Sequence, residues 1–308
     1  MYKRQPLGTV SNIEASRYAA GTAYISVDFH QVNNTDPYAY KTTDYGESWT
    51  LISEDIPKSV FSYVHVIRED PVRPGLLYLG TENSLFVSFD DGGQWVPLQT
   101  NLPHAPVHWL TIQKHFNDLV VSTYGRGFWI LDDITPLQQL DDEVLSSTGH
   151  LFQPRPAYRF RNKEGRVSQP EDPGAGQNPQ AGAPIHYFLG EAAEGYVRLE
   201  ILDGEGEVVA RLGGVTDSPG LHRVHWNLRY ESSRSPRMRT KPLEHSHVGL
   251  GDDGWRPAGD GGRVSPLAPP GEHRNALSAH PWPLPREGKA ICFLSTTCGK
   301  LPRLAMGT

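Results

Sequence analysis

Short stretches of alternating polar and apolar residues recur through positions 10–133, the mark of half-buried β-strands rather than of helices. Ile13-Glu14-Ala15-Ser16 and Ala23-Tyr24-Ile25-Ser26-Val27 flank a Gly turn and predict two strands. Tyr38-Ala39-Tyr40-Lys41 and Thr50-Leu51-Ile52 predict two more. The order then repeats. Val64-His65-Val66-Ile67 alternates, Leu76-Leu77-Tyr78-Leu79-Gly80-Thr81 returns after a turn rich in Pro and Gly, and Ser84-Leu85-Phe86-Val87-Ser88 follows. A third unit is predicted from Pro106-Val107-His108-Trp109-Leu110-Thr111-Ile112 and from 118–133. Residues 134–145, with Pro136 near their start and acidic residues after it, predict a short helix or an extended exit segment.

The turns that close the first two units share one pattern. Thr42-Thr43-Asp44-Tyr45-Gly46-Glu47-Ser48-Trp49 and Ser88-Phe89-Asp90-Asp91-Gly92-Gly93-Gln94-Trp95 both read hydroxyl, any, Asp, any, Gly, any, polar, Trp. They stand 46 residues apart, 44 to 90 and 49 to 95, a period that suits a four-stranded propeller blade. In such a turn the Asp accepts N–H bonds from residues just ahead of it, and the Gly takes a positive φ at little cost. The hydroxyl adds a local bond, and the Trp carries an apolar face to bury between blades. Thr42, Asp44, Gly46, Trp49, Ser88, Asp90, Gly92 and Trp95 are therefore read as structural, because the turn uses the carboxylates up. The third unit has the strands and no such turn.

After position 145 the pattern changes. Residues 6–145 form the blades in this reading, and 146–183, rich in Pro, Gly, Gln and Asn from 151 onward, form a linker. A second β region covers 184–272. Ile185-His186-Tyr187-Phe188-Leu189, Tyr196-Val197-Arg198-Leu199-Glu200-Ile201-Leu202 and Val208-Val209-Ala210-Arg211-Leu212 predict strands, the last two joined by an Asp203-Gly204-Glu205-Gly206 hairpin turn. Residues 220–229 add another, and the set predicts a small immunoglobulin-like sandwich. A polar insertion at 231–263 reads as disordered. Leu267-Ala268-Pro269-Pro270-Gly271-Glu272-His273 is expected to launch a closing strand. Residues 273–308 instead lose alternation and gather Pro281, Pro283 and Pro285, and they read as a disordered or non-native tail, such as a frame change near 272 would give. Residues 1–5 read as a similar scar. The fold class is all-β: a partial β-propeller of about three blades, a small Ig-like sandwich and an irregular tail.

Composition narrows the function classes. Gly and Pro supply 31 and 26 of 308 residues, in keeping with a turn-rich β protein. A formal charge of −6, interspersed along the chain, excludes a nucleic-acid binder. No apolar run approaches the length of a membrane-spanning helix, and no signal peptide is legible at the start. Cys292 and Cys298 define no disulfide framework.

The eight-residue turn resembles the Asp-box of BNR-repeat propellers, the repeat of sialidases, xyloglucanase-type glycoside hydrolases and sortilin/Vps10 receptors. Together with Glu69-Asp70-Pro71, Gly80-Thr81-Glu82, Asn101-Leu102-Pro103 and the run from Tyr124 to Asp133, it is similar to the end of the propeller in bacterial Vps10/sortilin-like BNR-repeat proteins of the type labelled glycosyl hydrolase. The likeness covers roughly 10–140, with a weaker match over 184–272. It implies an extracytoplasmic protein, secreted or periplasmic. It also implies a C-terminal fragment, since a ring closes with typically 4–8 blades, so that upstream blades of the same protein are its first expected partner.

Two functions follow from that resemblance. One is a non-catalytic exported binding module for a glycan or peptide. The other is a secreted glycoside hydrolase with most of its paired carboxylates upstream, so whether the chain is an enzyme stays open; a scaffold role has no positive signal. Arg126, between two glycines, with Tyr124 and Trp129 beside it, is the candidate ligand site: a guanidinium for a carboxylate and rings for sugar stacking. The plain alternative pairs Arg126 with Asp132 or Asp133 and puts the rings in blade interfaces. Asp132, Asp133 and Glu82 are the candidate catalytic carboxylates. His104 and His108 have zinc-helix spacing, yet Pro103 and Pro106 deny the helix and no Glu follows His104, so no metal site is expected. His245 and His247 read as solvated. No phosphate loop, Ser-His-Asp set or Cys-His pair is present, so no cofactor is expected either.

Overall fold

A computed structural model describes residues 8–158, 179–193 and 195–230 in full, and 291–296 by backbone alone. It divides into two compact units, Met1–Ser147 and Thr148–Thr308.

In the first unit three antiparallel meanders follow one another. β1 (Thr9–Ala15), β2 (Ala23–Asp28), β3 (Tyr38–Thr42) and β4 (Thr50–Leu51) pair in that order. β5 (Val64–Glu69), β6 (Leu77–Thr81), β7 (Leu85–Ser88) and β8 (Val96–Pro97) repeat it, and β9 (Val107–Gln113), β10 (Asp118–Thr123) and β11 (Phe128–Leu131) make a three-stranded third sheet. The first strands of successive sheets neighbour one another. Ser11 Oγ donates to the Val64 carbonyl at 3.2 Å, and Arg68 Nε donates to that of Leu110 at 3.0 Å. The sheets are thus blades of a partial β-propeller, with β1, β5 and β9 along its inner edge.

The middle blade is buried on both faces, which is why β6 and β7 read as near-continuous apolar runs. Leu77, Leu79 and Phe86 meet Tyr24, Ala39 and Ile56 of the first blade region. Leu76, Tyr78, Leu85 and Val87 meet Leu110, Leu119 and Val121 of the third. Each large side chain buried this way stabilises the fold by about 1.5–3 kcal/mol, so these two apolar seams, more than the hydrogen-bonded ladders, hold blade to blade.

The inner strands depart from the alternation the sequence predicts. Pairing steps from Val64 opposite Thr81 to Val66 opposite Gly80, leaving His65 as an extra residue. It steps likewise from Val107 opposite Thr123 to Trp109 opposite Ser122, leaving out His108, and from Val10 to Asn12 in β1, leaving out Ser11. These are β-bulges at equivalent places in three blades, and a bulge re-aims its side chain. One consequence is that Val64 shares a seam with Ile67, three positions on, and not with Val66. The His65 carbonyl accepts from Ser26 Oγ of the first blade at 3.1 Å.

The two repeated turns link third to fourth strand in their blades and are built alike. Thr42 Oγ1 donates to Asp44 Oδ1 at 2.7 Å and accepts from Gly46 N at 2.9 Å; Ser88 does the same to Asp90 and Gly92 at 2.8 and 2.9 Å. Asp44 Oδ1 accepts from Ser48 N at 2.9 Å and Asp90 Oδ1 from Gln94 N at 2.8 Å. Not only the Gly but the residue before it is left-handed: Tyr45 and Gly46 have φ 60° and 89°, Asp91 and Gly92 64° and 91°. Trp95 is buried against the first blade, its Nε1 donating to the Ile52 carbonyl at 2.6 Å. Trp49 differs from expectation and is 40% exposed, because among the described residues no blade stands on its outer side.

Two short helices, α1 (Thr135–Gln139) and α2 (Asp142–Ser146), follow the third blade. Asp141 caps α2 by accepting from Val144 N at 2.8 Å. Gln138 of α1 donates to Asp70, which also accepts from Val72 N and Arg73 N. That fully buried carboxylate holds the turn between β5 and β6.

The second unit is a sandwich of two three-stranded sheets. β12 (Gly149–Leu151), β13 (Ala183–Leu189) and β16 (Gly220–Trp226) form one; β15 (Val208–Leu212), β14 (Val197–Leu202) and β17 (Ile291–Thr296) form the other. Ile185, Tyr187, Val224 and Trp226 of the first meet Leu199, Ile201, Val209 and Ala210 of the second in a shared core. In the hairpin turn Asp203 Oδ1 accepts from Glu205 N and Glu207 N at 3.0 and 2.9 Å. Two strands stand where the sequence predicts none: β12 inside 146–183 and β17 inside 273–308, paired with β14. Residues 1–5, all of 231–263 and 267–273, with His245 and His247 among them, and the rest of the tail lie outside the described residues.

Candidate functional site

Antiparallel pairing gives the blades two ends. At one end lie the repeated turns, tied to the turns between first and second strands: Tyr45 N donates to Gly21 O at 3.0 Å and Asp91 N to Gly75 O at 2.8 Å. At the other end lie the starts of the first strands and the loops between second and third strands. The bulged residues are at this second end.

Here a row of rings crosses the blades. His30 stacks on Tyr63 with centroids 4.8 Å apart, Tyr63 meets His65 edge-on at 5.2 Å, His65 meets His108 at 4.2 Å, and His108 stacks on Tyr124 at 5.6 Å. Two carboxylates flank the row. Asp28 binds His30 Nδ1 at 2.6 Å, and Glu82 accepts from His65 Nε2 at 2.7 Å. The donor atoms of His65, Glu82 and His108 all lie within 4.8 Å of one another.

The environment shifts two of these groups. Burial first, then the charge of Glu82, with Asp28 contributing last, push the Tyr63 hydroxyl up to about 12, so it stays protonated at neutral pH. Burial and then the neighbouring His65 hold the His108 imidazole below the usual histidine range, against the opposing pull of Glu82. Tyr124, 73% exposed, offers an open ring face at the end of the row.

Of the residues singled out from sequence, the structure brings Glu82 and Tyr124 to this end, and Arg126 stands exposed in the same β10–β11 loop. Gly125 and Gly127, at φ 81° and 72°, make that loop's turn, and Trp129 Nε1 donates back to the Arg126 carbonyl at 3.1 Å. Trp129 packs against the seam between the second and third blades. Asp132 and Asp133 are elsewhere. They follow the four residues of β11, which at ~3.3 Å per residue carries the chain to the opposite end. Asp133 is buried there and accepts from Thr135 N and Oγ1 at 3.2 and 2.5 Å, holding the start of α1. Neither an Arg126–Asp132 nor an Arg126–Asp133 ion pair occurs among the described residues. His104 does not join His108; its Nδ1 faces the Asn83 carbonyl at 3.3 Å.

Sequence reasoning missed His65, Tyr63 and His30, and it weighed His108 with the wrong partner. A signal was present: Val-His at 64–65 and again at 107–108 opens the first strand of two successive units. Two other concavities hold chemistry already consumed. One of about 230 Å³ at the inner edge is lined by Arg68 and Glu14, paired at 2.9 Å, and by Glu69, which accepts from Arg17 N at 3.2 Å. One of about 620 Å³ beside the turns is lined by Asp90, Asp55 and Asp91, bound respectively within the turn, to Trp95 N, and to Lys41 and Tyr24.

No protein-family model and no curated protein matches the chain. Among solved structures it is similar to an ancestral GH74 enzyme, with 17% identity and a TM-score of 0.31 over 38% of this chain and 14% of that one. It is similar to the GH74 xyloglucanase from Xanthomonas campestris, with 18% identity and a TM-score of 0.33 over 62% of this chain and 28% of that one. A GH74 enzyme from Niastella koreensis gives 13% and 0.33 over 58% and 28%. The chain thus spans less than a third of the length of each of these glycoside hydrolases, and at such scores they carry no argument about its chemistry.

Proposed function

We propose that the blades form an exported binding module that presents the end bearing Tyr63, His65, His108 and Tyr124 to a glycan, or to a peptide bound in the same manner. The observation that carries this reading is the row of rings itself, which runs from His30 in the first blade region to Tyr124 in the third and ends in an exposed aromatic face. Sugars stack on such faces through their C–H groups, and Glu82, Asp28 and Arg126 offer partners for hydroxyl or carboxylate groups. No nucleic acid belongs in this reading, since the row is flanked by carboxylates and the chain is mildly acidic.

Titration of the chain with a panel of soluble oligosaccharides tests it. Saturable binding weakened at least about tenfold by Tyr124→Ala, and untouched by Trp49→Ala, is the expected result. No saturable binding, or equal loss in both variants, overturns it.

A second reading has one observation behind it. Asp28 and Glu82 bind His30 and His65, the two imidazoles that meet the Tyr63 ring, so two carboxylates share this end, as a glycoside hydrolase requires. It stands second because each is already engaged by an imidazole. Release of reducing sugar, abolished by Glu82→Gln, would put it first.

A further inference from the structure

We infer that His65, Glu82 and His108 form a binding site for one divalent transition-metal ion of the zinc class, with a coordination position left open. The inference goes beyond the ligand reading and stands whichever ligand the face takes.

The argument starts from the backbone. Both histidines are the extra residues of bulges at equivalent places in adjacent inner strands, so each is turned out of its ladder toward the same spot. Glu82 directly follows β6, the strand paired with β5, and reaches His65 Nε2 at 2.7 Å. The three donor atoms lie within 4.8 Å of one another. A tetrahedral site with bonds of about 2.0–2.1 Å needs its donors roughly 3.3 Å apart, so small side-chain rotations close the set.

The donors also select the ion. Two imidazole nitrogens and one carboxylate oxygen suit zinc and its neighbours, whereas calcium and magnesium want oxygen throughout. Tyr63 meets the His65 ring edge-on at 5.2 Å and so helps hold that imidazole in place from outside the donor set. His108 is exposed, which gives an ion a way in. The competing account is a His65–Glu82 hydrogen bond capped by a stacked ring, which binds no metal.

Cobalt chloride separates the two. The whole chain, stripped of metal by chelator, is titrated with Co²⁺ and followed by its visible d–d bands, then challenged with Zn²⁺. One Co²⁺ per chain, displaced by Zn²⁺ and weakened at least about tenfold by His108→Gln and by Glu82→Gln at unchanged urea midpoints, is expected. Absence of stoichiometric uptake overturns the site. So does uptake indifferent to both variants, which would assign it to others of the chain's 13 histidines. A second readout needs no variant: carbethoxylation with diethylpyrocarbonate, mapped by mass spectrometry, should fall severalfold at His65 and His108 when Zn²⁺ is added. Equal modification with and without Zn²⁺ overturns the proposal as well. The oligosaccharide titration, run in chelator, fails or succeeds separately.

Discussion

The two ends of the blades use the same residue types for opposite purposes. At the turn end, carboxylates are spent on the chain itself: Asp44 and Asp90 on turn N–H and hydroxyl groups, Asp70 on Val72 and Arg73 N–H, Asp91 on Tyr24 and Lys41. At the opposite end, Asp28 and Glu82 reach imidazoles, and the imidazoles reach aromatic rings. A side chain bonded to backbone is fixed by the fold. One bonded to another side chain can exchange that partner for a ligand at small cost to the fold. The difference teaches that Asp44 and Asp90, bonded to N–H groups of their own turns, are committed to the fold, whereas Glu82, bonded to the His65 imidazole, is a carboxylate that a ligand can claim.

The sharpest way to break the comparison is to truncate the two turn tryptophans. Trp95 is 6% exposed and clamped between blades, so Trp95→Ala is expected to cost about 3–5 kcal/mol of unfolding free energy in urea. Trp49, in the same sequence pattern but 40% exposed, should cost less than about 1 kcal/mol when replaced by Ala. Equal losses would mean that the turn motif itself, and not the blade beside it, stabilises the fold.

A smaller contrast pits glycines of the two ends against each other. Gly92 and Gly125 both have positive φ, 91° and 81°, so Ala at either pays the left-handed penalty of about 1–2 kcal/mol. A Cβ on Gly92 would also lie 2.9 Å from Ile52 Cβ and Cδ1, whereas one on Gly125 meets nothing within 4 Å. Gly92→Ala should therefore be the worse by a further ~1–3 kcal/mol of overpacking, and only Gly125→Ala should leave the urea midpoint near that penalty alone. The reverse order would place the tightly packed end at the ligand face.

Most of the blades was legible in sequence because alternation and turn chemistry are local. Tyr38-Ala39-Tyr40-Lys41 announces a strand wherever it sits, and Asp, Gly and a hydroxyl announce a turn. What escaped was set by partners far along the chain. Whether His65 is bulged depends on how β5 pairs with β6, and whether it meets His108 depends on the next blade. Trp49 and Trp95 are indistinguishable by pattern, and a neighbouring blade decides which is buried. Asp132 lies six residues from Arg126, yet four residues of β11 carry it to the other end. Gly149–Leu151 was too short to show a period at all.

The smallest expected effect is also the most diagnostic of the turn end. Bonds from the Ser48 hydroxyl and N–H, then from the Thr42 hydroxyl, lower the Asp44 carboxyl to about 2. An aspartate in the unfolded chain titrates near ~3.9, so the folded state favours the ionised form. Its contribution is then complete above the unfolded value and disappears as pH falls through the folded one. Asp44→Asn keeps an acceptor but cannot ionise. The gap between wild-type and variant urea midpoints should hold from neutral pH to about 5 and narrow progressively between about 4 and 2. A gap that widens on acidification would mean that Asp44 is used protonated, and that the turn-end carboxylates are not the charged anchors of their own backbone.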